Sequence, residues 1–385
     1  MNQTQRKASQ EYQRLLAHRE RKENWKKWGP YLSERAWGTV REDYSQFGTA
    51  WDSFPHDQAR SKTYRWNEDG LAGISDRYQY LCFALAFWNG QDPILKERLF
   101  GLTGPEGNHG EDVKEYYFYL DNTPTHSYMK MLYKYPHGAF PYTLLKEVNE
   151  RRTIEDFEYE LLDTGIFDED RYFDVLVEYA KADQDDILIR VTLTNRGHEA
   201  VCCHVLPTVW FRNTWSWGYP SGPMGDVPEK PILRPAQAQG DQALVMAEHP
   251  RLGVFSLYGQ GIPELLFTEN ETNFERLFKA PNDSSYVKDA FHRHVVNKEK
   301  GAVNPALEGT KAAFWYRDEV PAGGERTYRL RLTQSHLADP FQTFDDVFAQ
   351  RVREADDFYA GIQGPGMTGE EKMIHRQALA GMLWT

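Results

Sequence analysis

Between Tyr172 and Thr333 the chain alternates short runs of β-branched and aromatic residues with turn residues, and this rhythm constrains the fold more than any other feature. The runs are Tyr172–Tyr179, Ile187–Thr194, Val201–Phe211, Ala243–Glu248, Gly253–Tyr258, Glu264–Thr268, Lys311–Tyr316 and Thr327–Thr333. From Ile189 onward apolar and polar residues alternate, and Tyr328, Leu330 and Leu332 alternate with Arg329 and Arg331. That period of two belongs to antiparallel strands with one face buried. Asn195-Arg196-Gly197 and Val320-Pro321-Ala322-Gly323-Gly324 supply turns. Many short strands at hairpin spacing predict a mainly β fold, a large antiparallel β-sandwich, and exclude a βαβ sheet.

The flanks read differently. Residues from about 30 to 150 are dense in Gly, Pro, His and aromatics and only weakly periodic. After the strands, Phe344, Val347, Phe348, Val352, Ala355, Phe358 and Tyr359 share one helical face, and Gln363-Gly364-Pro365-Gly366 ends that helix. Thr368 and Glu371 then form a capping box that opens another helix, with Met373, Ile374, Gln377, Ala378, Gly381, Met382 and Trp384 on one side. No Gly, Pro or basic turn closes it. Its stripe needs a partner, so the expectation is an N-terminal module whose next domain is missing. The alternative is a helix docking back onto its own domain. The head, Arg6 to Lys27, carries many charges and little apolar surface beyond Leu15 and Leu16, and predicts a solvated helix or frayed arm. The implied division is a helical arm at 1–30, the sandwich with flanking helices at 31–340, a linker helix at 341–366 and a further helix at 367–385.

Charge and composition exclude several functions. A net charge of −12 argues against a nucleic-acid partner, which needs clustered cations. No apolar run approaches the roughly 18 residues of a membrane span, and Met1–Gln10 lacks the apolar core of a secretory signal. Three cysteines, Cys82, Cys202 and Cys203, are too few for a disulfide framework and predict reduced, mostly buried thiols in the cytoplasm. The aromatics (Trp 11, Tyr 22, Phe 21) suit a sandwich core and equally suit surfaces that stack sugars.

Candidate chemistry concentrates in the early zone, where polar residues sit among aromatics. Arg41, Glu42 and Asp43 form one group, Trp66, Glu68 and Asp69 a second, His109 and Glu111 a third. Glycoside hydrolysis needs two carboxyls flanking one bond, about 5–5.5 Å apart for retention or about 6.5–9.5 Å for inversion. Adjacent acids rarely face each other so, although acids on different loops can. His109 and Glu111, His126 and the His56-Asp57 pair invite a metal reading, but no third ligand stands at a telling spacing, so no metal and no cofactor are expected. A nucleophile elbow, a P-loop and a dinucleotide fingerprint are missing from the sequence. Trp215-Ser216-Trp217-Gly218-Tyr219-Pro220 reads either as a sugar platform or as a plug at a sheet edge.

The segments Arg35–Ser45, Phe54–Asp57, Tyr64–Trp66, Glu68–Ile74, Leu95–Leu102 and Gly107–Tyr128 resemble the beginning of bacterial glucosidase-like proteins of glycoside hydrolase family 63. The resemblance extends over nearly the whole chain. It implies a super-β-sandwich packed on a C-terminal (α/α)6 barrel, with residues 367–385 as the truncated start of that barrel. It also implies an inverting α-glucosidase acting on oligosaccharides, with acid and base both on the barrel, so no catalytic residue is expected in this chain. Arg41, Glu42, Asp43, Trp66, Glu68, Asp69, His109 and Glu111 become candidates for loops on the substrate side. The implied partners are an oligosaccharide and the barrel itself. A non-catalytic carbohydrate-binding or scaffold sandwich is the rival expectation.

Overall fold

The structure, a computed structural model, describes residues 9–31, 52, 54–64, 70–217 and 229–385. Its strands are β1 (Trp28–Pro30), β2 (Leu71–Asp76), β3 (Leu81–Trp88), β4 (Gly101–Leu102), β5 (Asp112–Val113), β6 (Tyr117–Asn122), β7 (Tyr128–Pro136) and β8 (Tyr172–Asp183). There follow β9 (Asp186–Asn195), β10 (Val201–Phe211), β11 (Ile232–Pro235), β12 (Gln242–His249), β13 (Gly253–Gln260), β14 (Glu264–Thr268), β15 (Lys311–Val320) and β16 (Glu325–Thr333). The helices are α1 (Gln10–Arg19), α2 (His56–Ala59), α3 (Tyr142–Glu150), α4 (Phe274–Phe278), α5 (Ala290–Val295), α6 (Phe344–Ala360) and α7 (Gly369–Trp384).

Two antiparallel sheets face each other. One runs β1-β2-β3-β10-β15-β14, the other β11-β12-β13-β16-β9-β8-β7-β6. The main core lies between them. Strand β9 sends Ile187, Ile189, Val191 and Leu193 inward and leaves Arg190 and Thr192 half-exposed, which is the alternation its sequence carries. Rings meet across the gap edge to face, as Phe83 does with Tyr179 at 6.4 Å and Trp28 with Phe255 at 5.2 Å. A glycine makes room in β13: a Cβ on Gly259 would stand 2.6 Å from the Phe314 ring.

The six-stranded sheet is covered on its second face as well. Ala86, Trp88, Leu206, Ala313 and Trp315 pack under Leu95, Ala290, Phe291, Val295 and Ala302. Every residue of β3 is therefore buried. The same double burial removes the alternation by which β2 and β3 would have been recognised in the sequence. On the eight-stranded sheet the outer face is partly open, and α6 covers β7, β8 and β9 with Phe344, Phe348 and Ala355 against Tyr128, Ala180 and Leu188.

The two end helices correct the sequence reading. The head is not a solvated arm: Glu11 of α1 is completely buried. Its carboxylate accepts from the Thr125 N–H at 2.6 Å, the Thr125 hydroxyl at 2.9 Å and the Ser127 hydroxyl at 2.7 Å. Arg14 pairs with Glu354 of α6 at 2.5 Å. At the other end, Ala380 and Trp384 of α7 belong to the sandwich core. Trp384 stacks on Tyr119 of β6 at 5.2 Å and donates to the Asp121 carbonyl at 3.1 Å. Three residues of the expected stripe are mostly in water: Met373 is 53%, Ile374 57% and Met382 77% exposed. Cys82 and Cys203 are buried and form no disulfide, but Cys202 is exposed because it points to the opposite face of β10.

Candidate functional site

Of the residues expected on the substrate side, Arg41, Glu42, Asp43, Trp66, Glu68 and Asp69 lie outside the described residues. His109 and Glu111 are both exposed, on the loop before β5. The His109 Nε2 lies 2.9 Å from the Asp156 carbonyl, and Asn108 donates to the Thr153 and Asp156 carbonyls at 3.0 Å each, so this loop is held to the 153–156 turn. The structure does not place His109 and Glu111 in a metal centre. Among the described residues one acidic trio is close enough to share a cation, Asp112, Glu158 and Glu160. The Lys114 ammonium already stands there, 2.5, 2.6 and 2.9 Å from the three carboxylates. Burial opposes its charge, but the three acids outweigh burial and raise its pKa above the ordinary lysine value.

His56, His126 and His292 are neutral packing groups. His56 stacks on Tyr142 and meets Phe100 edge-on. Burial and the neighbouring cations Arg98, Lys96 and Arg60 push its pKa well below 6.5. His126 lies against Gly29 and 3.0 Å from the Asn122 side-chain oxygen, and burial, then Lys181 and Lys26, lower its pKa to about 3. His292 accepts the Leu95 N–H at 3.2 Å, which requires a neutral Nδ1, and burial lowers its pKa to about 4.

The densest polar assembly lies on the covered face of the six-stranded sheet. There residues 54–64, the loop after β3 and the segment from Asn270 to Asp289 meet. Glu97 and Lys311 form a buried ion pair at 2.9 Å. Lys288 donates to the Ala59 and Lys62 carbonyls at 2.9 and 2.7 Å. The Asp289 carboxylate takes the Ser61 hydroxyl at 2.5 Å and the Asn273 amide at 3.0 Å. Arg276 reaches the Ser61 hydroxyl at 3.0 Å and Asp57 at 2.8 Å, while Arg60 holds Asp57 from the other side at 2.9 Å. Behind this layer, Glu115 is pinned by Lys96 at 2.5 Å, by the Phe100 N–H at 2.9 Å and by the Tyr133 hydroxyl at 2.9 Å. Gly70 donates its N–H to the Glu97 carbonyl, which ties the residue before β2 to this network.

A general acid or base must reach the bond it acts on. Glu97, Glu115 and Asp289 are instead buried, and each is committed to a cation or several donors. Removing one member of such a buried pair typically costs about 3–5 kcal/mol. The assembly therefore fastens loops to the sheet and holds no poised pair of carboxyls among the described residues. Nothing in the sequence pattern singles out Lys311, Asp289 or Arg276. Their partners Glu97, Ser61 and Asp57 are more than two hundred residues away, and no local pattern reports such a pairing.

No family model matches the sequence. An uncharacterized protein of Saccharomyces cerevisiae, YMR196W, is 42% identical over 419 residues, which cover 97% of this chain and 38% of that protein. The chain thus spans well under half the length of this curated relative. Among solved structures, a polysaccharide lyase (BACCELL_00875) is similar at 13% identity and a TM-score of 0.28, over 47% of this chain and 22% of its own. A galactose mutarotase related enzyme from Lactobacillus acidophilus gives 8% identity and a TM-score of 0.27, over 69% of this chain and 91% of its own. At such scores neither superposition bears on fold or activity.

Proposed function

We propose that this chain is the N-terminal β-sandwich portion of a family 63-like α-glucosidase. That enzyme would hydrolyse glucosidic bonds of oligosaccharides with inversion, using an acid and a base on an (α/α)6 barrel that these residues do not include. The observation that carries the reading is coverage: 42% identity runs over 97% of this chain but 38% of the longer relative, as for one module of a larger architecture. Two features of the fold support it. The buried carboxylates Glu97, Glu115 and Asp289 are bound in structural pairs rather than poised for chemistry. Helix α7 rests on β6 through Trp384 while Met373, Ile374 and Met382 face water, which suits a helix shared with further helices. In this reading residues 31–340 are the sandwich, 341–366 the linker and 367–385 the first barrel helix. The loops bearing Arg41, Glu42, Asp43, Trp66, Glu68, Asp69, His109 and Glu111 then border the substrate. No helix among the described residues is long and apolar enough to cross a membrane, and the proposal places the enzyme in the cytoplasm without metal or cofactor.

The test compares this chain with a protein that includes the sequence downstream of Thr385 in its genome. The longer protein should release β-glucose from α-linked glucobioses, followed by proton NMR of the anomeric signal, and this chain alone should release none. Turnover by this chain that survives repurification and is lost in Glu111→Gln overturns the reading. So does a stop codon directly after Thr385, or a longer protein inert on every α-glucobiose.

A further inference from the structure

At one end of the sandwich two hairpin turns, one from each sheet, line up aromatic rings from the core to the surface. Phe211 of β10 is fully buried, His249 of β12 lies 5.6 Å from it, Tyr80 stacks on His249 at 4.7 Å, and Tyr78 stacks on Tyr80 at 5.5 Å. The two outer stacks are nearly parallel, with interplanar angles of 27° and 28°. Tyr78, the last ring, is 64% exposed.

Each turn is locked by a side chain that caps its backbone. The buried Asp76 carboxylate accepts the N–H groups of Tyr78 and Leu81, both at 2.8 Å. It thereby holds a turn in which Gln79 adopts φ +56°, a conformation uncommon for a residue other than glycine. In the β12–β13 turn the His249 Nδ1 accepts the N–H groups of Arg251 and Leu252, both at 3.1 Å. Burial, with Arg251 beside it, lowers the His249 pKa to about 4, so the ring is neutral at pH 7 and carries its hydrogen on Nε2. Arg251 also reaches the Tyr80 hydroxyl at 3.4 Å. Each turn carries its own backbone cap, and the rings of the two turns stack.

We propose that this ladder is an ancillary glycan-binding platform, with Tyr78 as the ring on which a glucose unit of an α-glucan stacks. The proposal rests on the α-glucosidase reading for the identity of the sugar and on geometry for the platform. A pyranose offers one apolar face about the size of one aromatic ring, bordered by hydroxyls. Tyr78 offers one open ring face, its other face lying on Tyr80. The patch is too small for a stable protein interface, which needs about 800 Å² per partner. Because Tyr80 and His249 back the ring, little side-chain entropy remains to be lost on binding. The −12 net charge disfavours a nucleic acid as the stacking partner.

Affinity electrophoresis of the chain through gels containing amylopectin, dextran, barley β-glucan or mannan tests the platform. The parent should be retarded by amylopectin or dextran. Tyr78→Ala should weaken that binding about tenfold, the size of effect expected for one lost aromatic stack, and Tyr78→Phe should keep it. Melting curves of both variants should overlay the parent, because the substituted ring is mostly in water. Retardation unchanged in Tyr78→Ala overturns the platform and leaves the enzyme reading intact. No retardation of the parent in any gel also overturns it. Retardation by β-glucan or mannan alone, abolished in Tyr78→Ala, keeps the platform as a glycan site and sinks the α-glucan assignment and the α-glucosidase reading with it.

Discussion

Helices α1 and α7 close the two ends of the described chain, and they are fastened by opposite chemistry. Helix α1 is held by charge: Glu11 takes three hydrogen bonds from the Thr125–Ser127 turn, and Arg14 bridges to Glu354. Beside it Lys181, wholly buried, donates to the Trp25, Trp28 and Thr125 carbonyls at 2.7, 2.6 and 3.2 Å. Helix α7 is held by one aromatic side chain, Trp384 on Tyr119, with Arg376 paired to Asp121 at 2.5 Å at the rim. An apolar stripe announces itself by its period. A buried acid that answers a turn a hundred residues away does not. That difference explains why the head read as solvated although Glu11 docks it, while the stripe of the tail was visible in the sequence.

The largest expected effect breaks the charged end. Glu11→Ala leaves the Thr125 N–H and the Thr125 and Ser127 hydroxyls without their common acceptor, removes the 3.4 Å Arg14 pair, and should cost about 3–5 kcal/mol, seen as an earlier urea midpoint. A loss below about 1 kcal/mol, with α1 still protected from amide exchange, would show the nest to be dispensable. Next comes the aromatic end. Trp384→Ala should cost about 3 kcal/mol, the lower end for emptying a large buried site, because a terminal helix can fray to relieve the cavity. Amide exchange should rise across 369–385 and not across 10–19. Equal loosening of both helices would show that the two fastenings are coupled.

Acid and base should separate the ends further. His126 titrates at 6.5 when exposed and at about 3 here, so between those values the unfolded chain binds the extra proton. Stability from this group is full above pH 6.5 and is lost as pH falls toward 3. Lys181 is lowered from 10.5 to about 7, chiefly by burial, so its contribution is full above pH 10.5 and is lost as pH falls toward 7. The α1 end should therefore tighten as pH rises through both windows. Urea titrations at several pH values, repeated on Lys181→Met, should show the slope between pH 7 and 9 flatten in the variant; an unchanged slope would remove Lys181 from the account. The smallest effect sharpens the picture of α7. Met373→Ser together with Ile374→Ser should change stability by less than about 0.5 kcal/mol, as surface substitutions do, and should raise solubility. A cost of several kcal/mol would mean that this face is covered in solution by something these residues do not include.

Strands β10, β14 and β15 of the doubly covered sheet were legible by composition and flanking turns, whereas β8, β9, β12, β13 and β16 of the eight-stranded sheet were legible because their outer face is less buried, so that composition and alternation agree. Strand β7 was legible on the same ground: Met129, Met131, Tyr133 and Tyr135 point inward between Lys130, Leu132 and Lys134, a pattern overlooked among the aromatics of its zone. Strands β2 and β3 were not legible, since Leu81–Trp88 is buried on both sides and carries no period. At the candidate site, His109 and Glu111 drew attention as residue types, but their surroundings show an exposed loop tied to the 153–156 turn. The Glu97–Lys311 pair drew none, because its members are 214 residues apart.

By itself the sequence determined that the middle of this chain forms an antiparallel sandwich, where its turns fall and which side of most strands faces inward, because those choices follow from local φ/ψ preference and a period of two. Only the tertiary structure decided that the six-stranded sheet is covered on both faces, which carboxylates are spent on ion pairs, that the head is fastened by Glu11, and that Tyr78, Tyr80 and His249 form one stack. Each of those outcomes depends on groups distant in sequence meeting in a low-dielectric interior. There a charge must find a partner or titrate, and a ring must find a face.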